Sequence, residues 1–203
     1  KQLQQLKEEL SKQEIIPRDA ANALSRIRHN HQEGFEYIVL NQIKQLGMVD
    51  AKFELNLITN ETFSKNGIDD VSFQFSANPN TSLKPLKKVA SGGELSRVML
   101  ALLVSNNFVL SQPIVILDEI DVGIGGVTAN YIGDTLKKLS DNSQLLVITH
   151  LPQIARCAQH HYKIAKVTKN DESCVKISKL GKQDVIIELQ RMVGGDVITS
   201  IIK

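Results

Sequence analysis

Two short apolar runs, each ending in polar residues, constrain the fold of this 203-residue chain more than any other feature. The first is PIVILD (113–118) and the second is QLLVITH (144–150). Continuous apolar runs of this length are typical of strands that are buried on both faces. The connection between them contains a helical pattern over 127–139 and is long enough for the crossover that a parallel pair requires. We therefore predict a right-handed βαβ unit in an α/β domain.

The carboxyl ends of these two predicted strands carry the residues with the clearest chemistry. Asp118 and Glu119 end the first strand, and Thr149 and His150 end the second. Ligands of parallel sheets bind beyond this shared edge. An apolar run ending in Asp-Glu is the Walker B pattern, in which the Asp holds Mg²⁺ and the Glu polarises the attacking water. Taken singly, Asp118–Glu119 is equally well interpreted as a polar strand end or helix N-cap, and His150 is better interpreted as a structural histidine.

A glycine pair, Gly92–Gly93, stands at the start of a predicted helix in the segment ASGGELSRVMLALLV (90–104). Ser91 and Glu94 have the spacing of a capping box. Each glycine in a first helical turn costs up to about 1 kcal/mol of helix propensity relative to alanine. Glycines at a helix N-terminus allow a phosphate to touch the exposed amides, and Ser91 would add a hydroxyl donor. We therefore predict an anion site at this helix start.

The phosphate cradle that such a site would complement is not found in the sequence. No GxxxxGK[ST] motif occurs, and the nearest glycine-rich stretch, GIGGVTAN (123–130), has neither its spacing nor its lysine. We therefore expect the primary nucleotide-binding loop to lie on another segment. The chain begins at Lys1 inside a helical pattern, so we also expect it to be a fragment of a longer protein.

The amino-terminal part of the chain reads as helix. Residues 1–14 carry leucines at heptad spacing (Leu3, Leu6 and Leu10), Pro17 is expected to interrupt the helix, and a second run covers 18–46 before Gly47. A coiled coil and an amphipathic helix on a globular body explain this pattern equally well. Beyond it we predict strands over 52–58 and 71–77, a hairpin of strands over 162–168 and 174–180, a helix over 183–193 and a further helix up to Lys203.

Composition excludes several classes of protein. The net charge of +2 does not by itself indicate a nucleic-acid partner, and Lys84, Lys87 and Lys88 read as a solvated basic loop. Cys157 and Cys174 lack metal-ligand spacing and predict reduced thiols in a cytoplasmic protein. No apolar stretch is long enough for a transmembrane helix, and the first residues are too polar for a signal peptide.

Three motifs in this order, SGGELSR (91–97), VILDEIDVGIGG (115–126) and VITHLPQIA (147–155), resemble the carboxyl-terminal half of the ATPase head of the bacterial RecN family. This family forms an SMC-like branch of the ABC ATPases that acts in DNA double-strand-break repair. The resemblance implies the carboxyl-terminal lobe of a P-loop ATPase head over 47–203, with a mainly parallel central sheet. It also implies that residues 1–46 are a helical arm, the stub of a coiled coil that enters the head.

The resemblance assigns roles to individual positions. It implies that Ser91, Gly92, Gly93 and Glu94 form the ABC signature, which contacts the γ-phosphate of ATP bound to a partner head. It further implies that Asp118 holds Mg²⁺, that Glu119 is the catalytic base, that Asp121 is the D-loop aspartate and that His150 is the switch histidine. Arg97 could be interpreted as an arginine finger, but we favour a surface arginine one turn into the signature helix.

The resemblance also implies partners. These are an amino-terminal lobe of the same protein with the Walker A motif and Q-loop, a second head in a homodimer, and DNA, with double-stranded ends expected, at the bacterial nucleoid. No membrane partner is expected, and the chain alone should be inactive. Two alternatives stay open: a fragment of an ABC transporter cassette, and a non-catalytic interaction module that retains the motifs as relics.

Overall fold

The computed structural model describes residues 2–105, 114–169 and 172–194. Its helices are α1 (Gln2–Gln45), α2 (Gly92–Ser105), α3 (Gly126–Leu139), α4 (Pro152–Ala155) and α5 (Lys182–Met192), with a 3-10 turn over Leu86–Lys88. Its strands are β1 (Lys52–Ser64), β2 (Gly67–Ser76), β3 (Lys84–Pro85), β4 (Ile114–Leu117), β5 (Gln144–Val147), β6 (Tyr162–Lys169) and β7 (Glu172–Lys179). None of the helices in the described ranges is long and apolar enough to cross a membrane. The helix predicted up to Lys203 lies outside the described residues.

The described strands form three separate sheets. The first is antiparallel with the order β1-β2-β3, the second is the parallel pair β4-β5, and the third is the antiparallel pair β6-β7. The α/β class and the parallel βαβ unit are confirmed. The prediction of a mainly parallel sheet is wrong for the described part of the chain. Only two residues separate β1 from β2 and only two separate β6 from β7, which is too few for a crossover connection, so these pairs are antiparallel.

The chain divides into two compact units, and their boundary differs from the predicted boundary at residue 46. One unit contains residues 1–44 and 48–90, and the other contains 45–47 and 91–203. Helix α1 belongs with the first sheet because its side chains bond to that sheet. Gln32 Nε2 donates to the carbonyl oxygen of Leu55 at 2.6 Å, and the backbone N–H of Leu55 donates to Glu36 Oε1 at 2.7 Å.

Two further contacts hold α1 against β1 and β2. The rings of Phe35, Phe53 and Phe73 form a cluster with centroids 5.7–6.4 Å apart. The buried carboxylate of Asp69 accepts hydrogen bonds from Ser25 Oγ at 2.7 Å and from Arg28 Nη1 at 3.2 Å. Aromatic packing and a satisfied buried carboxylate thus connect the helix and the hairpin into one core.

Helix α1 continues through Pro17, so the predicted interruption there is wrong. The φ angle of proline is compatible with a helix, and the cost of an internal proline arises mainly from one lost backbone hydrogen bond and a clash with the preceding turn. Pro17 is exposed, so water can bond to the carbonyl that loses its partner. Strands β1 and β2 are also longer than predicted, because they pair with each other as far as a tight turn at Lys65 and Asn66.

In the second unit, α3 buries the apolar side chains of Ala129, Ile132 and Leu136. Strands β4 and β5 pair in parallel register, with Ile116 opposite Leu146. The prediction that these strands are buried on both faces is wrong. Ile114 is 56 % exposed and Ile116 is 65 % exposed, because no described element covers that face of the two-stranded sheet.

An ion-pair cluster connects α5 to the β6-β7 hairpin. Lys163 Nζ donates to Glu188 Oε2 at 2.5 Å, and Arg191 donates to Glu188 Oε1 through Nε at 2.9 Å and through Nη2 at 2.6 Å. The Arg191 hydrogen bonds, assisted by Lys163, lower the pKa of Glu188 to about 2 against the effect of burial. The structure confirms the predicted hairpin (β6 and β7) and the predicted helix (α5) within the described residues, with bounds that differ by one or two positions.

Candidate functional site

The predicted signature lies at the first turn of α2. The helix begins at Gly92, so both glycines are in its first turn, as the sequence indicates. Ser91 Oγ accepts a hydrogen bond from the backbone N–H of Glu94 at 3.3 Å, and the carbonyl oxygen of Ser91 accepts one from the N–H of Leu95 at 3.0 Å. The serine half of the predicted capping box is therefore present, and Ser91 and Gly92 are exposed.

The close neighbours of the glycine pair belong to the same chain. A methyl group in place of the Gly92 hydrogen would overlap Glu119 Oε2. At Gly93 it would lie 3.0 Å from the carbonyl oxygen of Glu119 and 3.1 Å from Cβ of Val122. At Gly93 a side chain would therefore press against the backbone of residue 119, whereas at Gly92 it would have to displace only the free end of the Glu119 side chain. A carboxylate near this helix N-terminus is also electrostatically favourable.

Asp118 and Glu119 follow β4 at an exposed turn. The backbone N–H of Glu119 donates to Asp118 Oδ1 at 2.9 Å, and the carbonyl oxygen of Glu119 accepts from the N–H of Val122 at 3.2 Å. Glu119 has a φ of 57°, which is uncommon for a residue other than glycine. This backbone conformation accompanies the placement of the Glu119 carboxylate against Gly92.

Asp121 connects this turn to the end of β5. Its side chain is buried, and its Oδ2 accepts from Thr149 Oγ1 at 2.5 Å and from the backbone N–H of His150 at 2.7 Å. The Nδ1 atom of His150 also lies 3.0 Å from Asp121 Oδ2. The imidazole itself is 68 % exposed. Asp121 thus holds His150 at the sheet edge while leaving its ring accessible.

Two residues of α2 hold the turn after β4 from the other side. Ser96 Oγ donates to the carbonyl oxygen of Asp118 at 2.7 Å, and Arg97 Nη1 donates to that of Val122 at 2.7 Å. The prediction of a surface position for Arg97 is wrong, because only 7 % of the residue is exposed. Burial lowers the pKa of Arg97, and the nearby charge of Glu94 partly opposes this.

The donor set agrees in kind with a magnesium ion held by one protein carboxylate. Mg²⁺ prefers oxygen ligands and is usually bound through one or two carboxylates together with phosphates and water. Asp118 offers an exposed carboxylate at the strand end. In the described ranges, no group of three or more His, Cys, Asp or Glu side chains could form a cage for a metal ion.

Comparison with known proteins identifies the family. Residues 2–173 match the family described as RecF/RecN/SMC N terminal domain. The chain belongs to this family. Its RecN resemblance is confirmed by curated relatives named DNA repair protein RecN, and the transporter alternative receives no support from them.

Three RecN proteins illustrate the match. The protein of Rickettsia typhi is 46 % identical over 162 residues, which cover 79 % of this chain and 29 % of that protein. The protein of Rickettsia bellii is 44 % identical over 81 % of this chain and 30 % of its own length. The protein of Vibrio cholerae is 39 % identical over 89 % and 33 %. The chain therefore spans about a third of the length of these relatives.

Solved structures agree on the fold. An Smc head domain with a coiled coil and joint from Pyrococcus yayanosii has a TM-score of 0.56 at 18 % identity, over 94 % of this chain and 35 % of that one. An Smc head domain with an extended coiled coil from Pyrococcus furiosus, bound to the C-terminal domain of ScpA, has a TM-score of 0.52 at 20 % identity. That match covers 94 % of this chain and 46 % of the other. At these identities the likeness concerns the fold alone.

Sequence reasoning missed part of the site of this RecF/RecN/SMC family member. Ser96 and Arg97 hold the turn that carries Asp118 and Glu119, and Thr149 anchors Asp121. Thr149 could have been weighted more heavily, because it stands next to His150 at a predicted strand end. Ser96 and Arg97 have no comparable signal, since only the packing of α2 against the turn reveals their hydrogen bonds.

Proposed function

We propose that this chain is the carboxyl-terminal part of an ATP-hydrolysing SMC-like head that acts in DNA double-strand-break repair. One observation carries the proposal beyond family membership. Asp121 connects the turn that carries Asp118 and Glu119 to His150, with both elements at the carboxyl-terminal edge of β4 and β5. Ligands of parallel sheets bind at this edge, and carboxylates next to an accessible imidazole suit phosphoryl transfer.

Each residue has a distinct part in the proposed reaction. Asp118 would hold the magnesium ion that accompanies ATP and neutralises charge on its phosphates. Glu119 would accept a proton from the attacking water while the water oxygen bonds to the γ-phosphorus. The bond between the γ-phosphorus and the bridging oxygen would break, and its electron pair would leave with ADP. His150 would donate a hydrogen bond to the γ-phosphate. Its exposed ring, held through Asp121, is available for that contact.

The signature would serve a second head. Ser91 Oγ and the amides of Gly92 and Gly93 would donate to the γ-phosphate of ATP bound to that partner, so ATP would join two heads. The Glu119 carboxylate now lies against Gly92. It would have to leave this position before a phosphate reaches the helix start. The proposed head therefore has a resting arrangement in which its own base covers its signature.

The proposal includes the partners that the resemblance implies. An amino-terminal lobe with the Walker A motif and Q-loop would supply the primary phosphate cradle. The uncovered apolar face of β4 and β5 supports such a lobe, because it exposes four aliphatic side chains to solvent: Ile114, Ile116, Leu146 and Ile148. Helix α1 would be the stub of a coiled-coil arm, and opening and closing of the head dimer would control the holding of DNA at the nucleoid.

The test is to co-express the chain with an amino-terminal lobe from a RecN relative and to compare two carboxylate variants. Asp118→Asn should weaken both Mg-ATP binding and turnover, because it alters the metal ligand. Glu119→Gln should keep ATP binding but lower the hydrolysis rate by about 10²–10⁴-fold, the usual loss for a general base. It should therefore accumulate as an ATP-bound head dimer in size-exclusion chromatography with light scattering.

Two outcomes would contradict these assignments. Wild-type turnover by Glu119→Gln would exclude Glu119 as the base. Absence of ATP hydrolysis by the wild-type assembly would favour the second candidate, a non-catalytic interaction module. The contact of Glu119 with Gly92 gives that candidate some support, since a carboxylate retained to pack a helix start needs no catalytic role.

A further inference from the structure

The turn Asp118–Val122 is held at both ends by adjacent residues of α2. Ser96 Oγ donates to the carbonyl oxygen of Asp118 at 2.7 Å, and Arg97 Nη1 donates to the carbonyl oxygen of Val122 at 2.7 Å. We call this pair of hydrogen bonds the Ser96–Arg97 clamp. Asp118 supplies the first attachment point, and Glu119 and Asp121 lie between the two. The clamp therefore determines where this turn lies relative to α2.

Arg97 is an expensive residue for a merely structural attachment. Its guanidinium is buried, its Nε has no hydrogen-bond partner, and no described carboxylate lies within 4.0 Å of it. A buried charge with no carboxylate in direct contact carries a desolvation penalty, which the nearby charge of Glu94 offsets only in part. Arg97 Nη1 would also lie only 3.6 Å from a Cβ atom at Gly93. The cation therefore lies next to Gly93, one of the two glycines of the predicted anion site.

The clamped turn continues to the switch histidine. Asp121 lies within the turn, and its Oδ2 accepts from Thr149 Oγ1 and from the backbone N–H of His150. A continuous path of hydrogen bonds and backbone therefore runs from the first turns of α2, through Arg97 and Val122, to His150. Every residue on this path belongs to one compact unit.

We propose that Ser96 and Arg97 are positioning residues for the ATPase reaction. The clamp sets the placement of Glu119 directly and that of His150 through Asp121, so the signature helix of a head also positions the base and switch residue of that same head. A phosphate that approaches Gly93 would act on the buried cation and, through it, on the turn. This inference rests on the proposed function, because it assigns the clamp to that reaction.

The clamp has a matched control in the other compact unit. Ser25 and Arg28 also form a serine and arginine pair that donates to one structural partner, Asp69, at 2.7 Å and 3.2 Å. Substitution of either pair should lower the unfolding temperature. Only substitution of the clamp should alter catalysis beyond the loss of folded protein.

The first experiment compares Ser96→Ala and Arg97→Met with Ser25→Ala and Arg28→Met in the co-expressed assembly. A displacement of reacting groups by about 1 Å can cost on the order of 100-fold in rate. We expect the clamp variants to lower kcat by at least about tenfold with KM changed by less than about threefold. Arg97→Lys, which keeps a cationic hydrogen-bond donor, should recover part of kcat. The control variants should keep the wild-type kcat per folded molecule.

The second experiment needs no ATPase activity and uses the 203-residue chain. The backbone amide resonances of Asp121 and His150 are followed by NMR in the same variants. Ser96→Ala is the milder change and serves if Arg97→Met fails to fold. We expect both resonances to shift in the clamp variants and to stay unchanged in the Ser25 and Arg28 variants.

The two experiments separate the two proposals. An inactive wild-type assembly with the expected NMR shifts would overturn the proposed function and with it the catalytic assignment of the clamp, leaving a structural connection. An active wild-type assembly whose clamp variants keep kcat would overturn the clamp alone. An unchanged amide resonance of His150 in both clamp variants would also overturn the clamp proposal, because the clamp would then have no effect on His150.

Discussion

The carboxylate of Glu119 lies against the α-carbon of Gly92, so closely that a methyl group on this glycine would overlap Oε2 of the carboxylate. Glu119 reaches this position with a positive φ of 57°. The contact joins the proposed catalytic base to the first turn of the proposed signature helix within one chain. The contact gives a second reason for glycine at position 92, besides the approach of a phosphate. Because the carboxylate and a phosphate would occupy the same space, the helix start can hold only one of them at a time.

Gly92→Ala should cost about 1 kcal/mol or less, because the added methyl group displaces only the free end of the Glu119 side chain, which can adopt another rotamer. The matched control is Gly34→Ala in α1, where an added methyl group meets nothing within 4 Å. Alanine is favoured over glycine inside a helix, so the control should be stabilising by about 1 kcal/mol or less. Urea unfolding of both variants measures the difference. If Glu119→Ala does not relieve the cost of Gly92→Ala in a double-mutant cycle, the contact is not its cause.

Ser91→Arg should prevent ATP-driven head dimerisation in the assembled protein while leaving the first ATP-binding event nearly intact. The added bulk and charge would lie where the partner's γ-phosphate must approach Gly92 and Gly93. Light scattering with and without ATP measures dimerisation, and equilibrium dialysis measures binding. Normal dimerisation by this variant would show that the start of α2 is not the signature site.

Asp121→Asn should lower kcat by about 10–100-fold in the assembly, because the neutral amide holds the end of β5 less well. The carboxylate accepts hydrogen bonds from Thr149 and from the backbone N–H of His150, and charged acceptors form the stronger bonds. Thr149→Val is the companion variant, since it removes one of these donors and should have a smaller effect in the same direction. If neither substitution changes kcat, Asp121 is not the residue that positions His150 for catalysis.

The stability of the first unit should fall in acid because of Asp69. Burial raises the pKa of this carboxyl, but hydrogen bonds from Ser25, Thr59 and Arg28 outweigh burial and leave the pKa below its ordinary value of 3.8. The folded state therefore binds a proton less readily than the unfolded state. The contribution of the Asp69 carboxylate to the free energy of unfolding is therefore complete above pH 3.8. It is lost as the pH falls through the lower pKa of the folded state.

Asp69→Asn should remove the contribution of this carboxyl to the acid dependence and destabilise the unit by about 1–3 kcal/mol at neutral pH, because the amide accepts the hydrogen bonds of Ser25, Thr59 and Arg28 less well. Urea unfolding between neutral and acidic pH measures both effects. Asp70→Asn is the neighbouring control, because Asp70 is exposed on the same strand. An equal loss of stability in both variants would contradict the importance of the buried network.

Glu188 should give the second unit an acid transition of its own. Its pKa is lowered from 4.5 to about 2, chiefly by the hydrogen bonds from Arg191. The stabilisation is therefore complete above pH 4.5 and disappears as the pH falls toward 2. Glu188→Gln should remove about 1 kcal/mol at neutral pH, since exposed partners and salt screen the pair. A pH-dependent unfolding curve identical to wild type in this interval would exclude the effect.

Local patterns predicted most of the elements, because helix and strand periodicity depend on the spacing of apolar side chains. Helix α3 begins within one residue of the prediction, and β6 and β7 pair as expected. The parallel pairing of β4 and β5 followed from the length of their connection. The polar residues at the two strand ends are brought to one edge by that pairing, as the sequence indicated.

What the sequence by itself determined is therefore the βαβ unit, the β6-β7 hairpin, the existence of the first two strands and the positions of Asp118, Glu119 and His150 at strand ends. Only the tertiary structure decided which of these groups touch and which are buried. The packing of α2 on the turn after β4 buries Arg97 and brings Glu119 onto Gly92, and the end of β5 supplies the donors that surround Asp121. These contacts join residues more than twenty positions apart, and the spacing of side chains within one helix or strand carries no information about them.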